Sequence, residues 1–99
     1  MGERTRCCVI GCRRTTAKPH AEWICAKHWK TVPRQTKADY AAEKRQVRRI
    51  LARKPVYAEW WKMPPGSSGR LAALGMWRRL DAVWARCKEA ATEAAVGLR

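Results

Sequence analysis

The sequence predicts a mainly α protein, in which a small N-terminal metal knuckle with a tiny β-hairpin precedes two long helices. Three observations support this reading. Four of the five cysteines and both histidines fall in the stretch from Cys7 to His28. A strongly basic stretch follows, bounded by Pro33 and Pro55. From Ser68 onward, apolar residues recur every three or four positions almost to the C-terminus. The expected organisation is one compact domain in four pieces: a zinc-binding module over 1–33, a basic helix over 34–54, a Trp/Pro/Gly connector over 55–69 and an amphipathic helix over 70–97.

The first 33 residues cannot bury enough apolar area to fold unaided. A bound ion supplies what such a core lacks, because metal binding and folding are coupled in small modules. Cys7-Cys8-Val9-Ile10-Gly11-Cys12 and Cys25-Ala26-Lys27-His28 form two ligand pairs separated by a loop of 12 residues. A structural zinc site takes four tetrahedral N or S ligands, all from protein. Cys12, Cys25 and His28 are three of them. The fourth is either Cys7, closing a Cys-x4-Cys loop, or Cys8, closing a Cys-x3-Cys loop, since adjacent cysteines do not readily share one ion. One structural zinc per chain is expected. His20 reads as a loop residue, with a substitute role for His28 as the alternative.

Gly11 suits the tight turn that aims backbone amides at sulfur. Val9, Ile10, Trp23 and Ile24 are expected to pack around the ion, with Val9-Ile10 pairing with Glu22-Trp23-Ile24 as short strands. Residues 13–22 read as an exposed loop or short hairpin. The N-terminus has no apolar segment of secretory type, Arg6 stands where a myristoylation signal wants Ser or Thr, and no apolar run is long enough to span a bilayer. A cytoplasmic location is therefore expected, where clustered thiols stay reduced and bind metal more often than they form disulfides.

Cys7-Cys-Val-Ile-Gly-Cys12 followed by Cys25-Ala-Lys-His28-Trp29, with Val32-Pro33 beyond, resembles small zinc-binding modules common in bacteriophage and prophage proteins. The resemblance covers about residues 7–34. It implies Cys7 as the first ligand, zinc as the metal and a bacterial host cell as the setting; it implies no particular activity. Some phage proteins with a similar module are HNH endonucleases. Such a nuclease needs a general-base histidine and further ligands for a catalytic cation. This chain has His20 and His28, no asparagine, and only Asp39 and Asp81 as aspartates, so with His28 on zinc the roles go unfilled and no enzymatic activity is expected.

The basic helix is expected from about Gln35 to Lys54, opened by a capping-box-like Thr36 and Asp39 and closed by Pro55. Tyr40, Val47 and Leu51 form its apolar stripe, with Ile50 beside them. Over 34–54, eight Lys and Arg oppose two acids. In the connector, Pro64-Pro65-Gly66 is a turn, and Ser67-Ser68-Gly69 offers an N-cap. Leu71, Leu74, Trp77, Leu80 or Asp81, Trp84, Cys87 and Ala91 mark the buried face of the last helix, with Cys87 as a buried thiol and Gly97 as the stop. Trp23, Trp29, Trp77 and Trp84 are expected in the core. The neighbours Trp60 and Trp61 cannot both face the same core, so one is expected at the surface.

With 22 Lys and Arg against 8 Asp and Glu, the net charge of +14 favours polyanionic partners. The expected function is nucleic-acid binding, to DNA or RNA, mainly through phosphates. Arg13, Arg14 and Lys18 in the knuckle loop and Lys44, Arg45, Arg48, Arg49 and Arg53 on the basic helix are the candidate contacts. No base-reading motif is visible. The alternative is a protein-interaction adaptor or inhibitor that engages a host or phage protein through Trp60 and Trp61 or the last helix, whose apolar stripe also suits a homodimer.

Overall fold

The computed structural model describes residues 4–18 and 21–97; the expectation for His20 lies outside them. The fold is mainly α. Strands β1 (Thr5–Arg6) and β2 (Thr15–Thr16) pair antiparallel, followed by α1 (Ala26–Trp29), α2 (Arg34–Arg53), a 3₁₀ segment (Pro55–Lys62) and α3 (Ser68–Ala95). The chain divides into two compact units, one built from Met1–Lys37 and Arg86–Arg99, the other from Ala38–Ala85.

In the first unit the hairpin lies outside the stretches expected to form it. Val9 and Ile10 sit in a turn, where the Cys12 N–H donates to the Val9 carbonyl at 3.0 Å and Gly11 adopts φ +86°. Reversing the chain between Cys7 and Cys12 uses up those residues, and the β-branched threonines flanking the turn take the strand positions instead. Trp23 does pair, but only through a single parallel bridge to Cys7, with the Cys8 N–H donating to the Trp23 carbonyl at 2.7 Å. Val9, Ile24 and Val32 are buried, as are Cys87, Ala90 and Ala91 of α3. Ile10 is 91% exposed at the tip of the turn, so it is not part of the miniature core. Trp23 and Trp29 are half-buried. Lys88 Nζ meets Glu22 Oε2 at 2.9 Å.

In the second unit the core consists of Val47, Tyr57, Ala73 and Met76, with Ile50, Leu51, Trp60, Met63, Trp77 and Leu80 packed against it. The Trp77 indole N–H donates to the Tyr57 carbonyl at 3.0 Å, tying α3 to the 3₁₀ segment. Trp84 stacks at a tilt on Tyr40, ring centroids 5.3 Å apart. Helix α2 starts ahead of the expected box: the Pro33 carbonyl accepts the Lys37 N–H at 3.0 Å, placing Thr36 and Asp39 inside the helix. Proline lacks an N–H, but its carbonyl can still open a helix. Helix α3 is capped by the Ser67 hydroxyl, which accepts the Arg70 N–H at 3.3 Å, and the chain leaves it through Gly97 at φ +77°.

The buried face of α3 differs from the expected one at its start. Leu71 is 59% exposed, whereas Ala73 and Met76 are almost completely enclosed. Turning Ala73 inward allows close backbone approach, and Met76 fills the irregular space beyond it. Among the described residues, no helix is long and apolar enough to cross a membrane. We expect Met76→Ala to lower stability by about 2–5 kcal/mol and Leu71→Ala by about 0.5 kcal/mol or less, read as urea midpoints at unchanged m-value. Equal costs at the two positions would contradict this assignment of the core.

Candidate metal centre

The N-terminal segment brings four candidate ligands to one point. Cys7 follows β1, and Cys12 closes the Gly11 turn. Cys25 caps α1 in extended conformation, with φ −66° and ψ 161°, and His28 follows on that helix. A Cys-x2-His pair across a helix start projects both side chains to the same side, because the cap and the third residue lie about one turn apart. The Sγ atoms of Cys7, Cys12 and Cys25 and a ring nitrogen of His28 all lie within 4.8 Å of one another. His28 Nδ1 is 3.6 Å from Cys7 Sγ and 3.3 Å from Cys25 Sγ, and Cys12 Sγ is 3.9 Å from Cys25 Sγ.

Three of the six separations, 3.3–3.9 Å, lie near the edges of a coordination tetrahedron, while the group as a whole spans up to 4.8 Å. An ion about 2.3 Å from sulfur and about 2.0–2.1 Å from nitrogen requires ligand–ligand edges of roughly 3.5–3.8 Å. The three thiols are free rather than disulfide-bonded. Cys7 and Cys25 are buried, and Cys12 and His28 half-buried. The group could hold a metal ion.

Electrostatics differ across the cluster. Burial pushes the Cys7 thiol up, and the backbone hydrogen bond from Cys25, whose N–H lies 3.3 Å from Cys7 Sγ, only partly offsets this. Burial also acts upward on Cys25, but backbone hydrogen bonding at His28 and Lys27 and the neighbouring thiols outweigh it, leaving Cys25 below its ordinary value. Cys25 is thus the thiol most readily ionised of the two.

Among the described residues the cluster includes Cys7 and not Cys8. Adjacent side chains on extended backbone point to opposite faces, so only one of the pair turns toward the other ligands. The sequence contained no signal for the amide of Cys25 as a donor to Cys7 sulfur; that contact depends on how the two pairs meet.

The candidate nucleic-acid contacts Arg13, Arg14 and Lys18 are exposed in the first unit, and Lys44, Arg45, Arg48, Arg49 and Arg53 are exposed in the second. None of the eight is ion-paired to another described residue. Arg49 donates to Gln46 Oε1 at 2.6 Å, and Lys44 lies over the Tyr40 ring at 4.9 Å. Trp61 is 57% exposed. Trp60 packs against the core and meets Trp61 edge to face at 5.9 Å, with the Arg70 guanidinium 5.2 Å from its centroid.

No protein-family model matches the chain, and neither a curated protein nor a solved structure matches it.

Cys25→Ser is expected to abolish binding of one metal ion per chain, measured by elemental analysis of the purified protein, while Cys8→Ser retains it. Ligand thiols must be deprotonated to bind, so bound metal should be released as pH falls. Retention of a full equivalent by Cys25→Ser would remove the cluster as the binding site.

Proposed function

We propose that the chain is a structural-zinc protein of phage type that binds nucleic acid through phosphate contacts from its basic helix. Three thiols and one imidazole gathered within 4.8 Å suit zinc, and soft thiolates disfavour the hard cations. Cys7, Cys12, Cys25 and His28 would hold the ion. Four protein ligands leave no open position for water, so the metal's contribution would be folding energy rather than chemistry. Phage origin and a cytoplasmic setting are supported by the Cys-x4-Cys and Cys-x2-His module and by its free thiols.

One observation favours the nucleic-acid reading most. Lys44, Arg45, Arg48, Arg49 and Arg53 wrap about half the circumference of α2, opposite Tyr40, Val47, Ile50 and Leu51. No acid interrupts that arc, and none of its five cations is ion-paired among the described residues. Phosphates along a strand present the complementary charge, and binding would release counterions and depend steeply on salt. The exposed Trp61 favours the second reading, an adaptor that seats this ring in a pocket of a host or phage protein.

Arg45→Glu combined with Arg49→Glu should weaken binding to mixed DNA or RNA at least about tenfold at low salt, read by fluorescence anisotropy. Substituting Trp61 by Ala should change it little. Unchanged affinity in the double variant would refute the nucleic-acid reading, and capture of a protein partner lost with Trp61→Ala would establish the adaptor.

A further inference from the structure

Two depressions adjoin on the unit formed by Ala38–Ala85. The larger, of about 280 Å³, has Tyr57 and Met76 at its floor and Ile50 and Ala72 at its walls. Arg53, Lys54 and Arg79 form its rim. The smaller, of about 120 Å³, is lined by Gln46, Arg49, Ile50 and Arg53. Sharing Ile50 and Arg53, the two form one groove along the C-terminal half of α2, and no acidic residue lines either part.

The floor and the rim call for different chemistry. Tyr57, Met76, Ile50 and Ala72 offer an apolar bed with one polar handle, the Tyr57 hydroxyl, 3.4 Å from Lys54 Nζ. Arg53 and Arg79 are exposed and ion-paired to no described residue. A fitting ligand therefore has a flat, largely apolar body joined to negative charge on more than one side. An unpaired base between two phosphates has that form. In a duplex, base faces are hidden in the stack and cannot enter. The cavity also lies just below the usual small-ligand range of about 300–1,000 Å³, which suits one ring system and not a base pair.

We propose that this groove binds single-stranded nucleic acid, with one base in the cavity between α2 and α3 and its phosphates on Arg49, Arg53, Lys54 and Arg79. The inference rests on the nucleic-acid reading above and specifies its substrate as an unpaired strand. Ala72 is exposed on α3, so a larger side chain there fills the cavity without entering the core.

The test compares a short labelled single strand with the duplex of the same sequence by fluorescence anisotropy at low and moderate salt. The single strand should bind at least about tenfold tighter, and Ala72→Phe should weaken it by about tenfold while leaving duplex affinity unchanged. Equal binding of both forms, together with an Ala72→Phe variant that behaves like the parent, would overturn the groove and leave the nucleic-acid reading standing. Failure of the parent to bind either form at low salt would overturn both. Should circular dichroism show Ala72→Phe unfolded, Arg79→Gln decides: weaker single-strand binding supports the groove, and unchanged binding overturns it.

Discussion

The convergence of three thiols and an imidazole within 4.8 Å is the constraint from which the first unit follows. As thiolates these side chains would repel one another, and a shared cation would relieve that repulsion. Meeting at one point forces the chain to reverse between Cys7 and Cys12. That reversal puts Gly11 at positive φ, drives Ile10 outward and leaves the threonines at 5, 15 and 16 to form the hairpin. Cys25 serves the cluster twice, since its Sγ faces Cys12 and His28 while its amide faces Cys7 sulfur. The short helix it caps then fixes where the His28 ring falls.

The second unit is built around an apolar core. Its core closes on Ala73 and Met76 from α3, Val47 from α2 and Tyr57 from the 3₁₀ segment. Burying Ala73 rather than Leu71 sacrifices transfer energy, and the partly buried Trp60 and Trp77 packed against the core supply area. The Trp77 indole N–H donates to the Tyr57 carbonyl of the 3₁₀ segment, so the same ring contributes area and a polar contact.

Features with a local cause were legible in the sequence. The Cys/His cluster could be read because spacing and residue type are local properties, as could both long helices, whose periodicity extends over several turns. The cap at Ser67 and the stops at Pro55 and Gly97 belong to the same class. The errors came where a tertiary requirement overrode local preference. Val9-Ile10 has strand propensity, yet the ligand geometry makes it a turn. Leu71 fits the helical period, but the packed face is set by which residues lie opposite, and that face contains Ala73 and Met76. Choosing between Cys7 and Cys8 needed the direction of an extended backbone, which spacing alone leaves open. The groove on the second unit had no sequence signal, because Ala72 and Arg79 meet Ile50 and Arg53 only after two helices pack.

Helix α2 carries opposite demands on its two sides. Its buried stripe contributes Val47, Ile50 and Leu51 to the core, and this burial is available whatever the outer face carries. The outer face sets like charges three and four residues apart, as Lys44 with Arg48, and Arg45 with Arg48 and Arg49. Each such pair costs the free helix about 0.2–0.5 kcal/mol, where an acidic partner at the same spacing would stabilise it by a similar amount. A helix shaped for stability or solubility alone would intersperse acids along this arc. The arc contains none, so the repulsion is carried by the core in the free protein, and a bound anion would relieve it. That asymmetry is the physical ground for proposing the arc of α2 as a binding face rather than a solvated one.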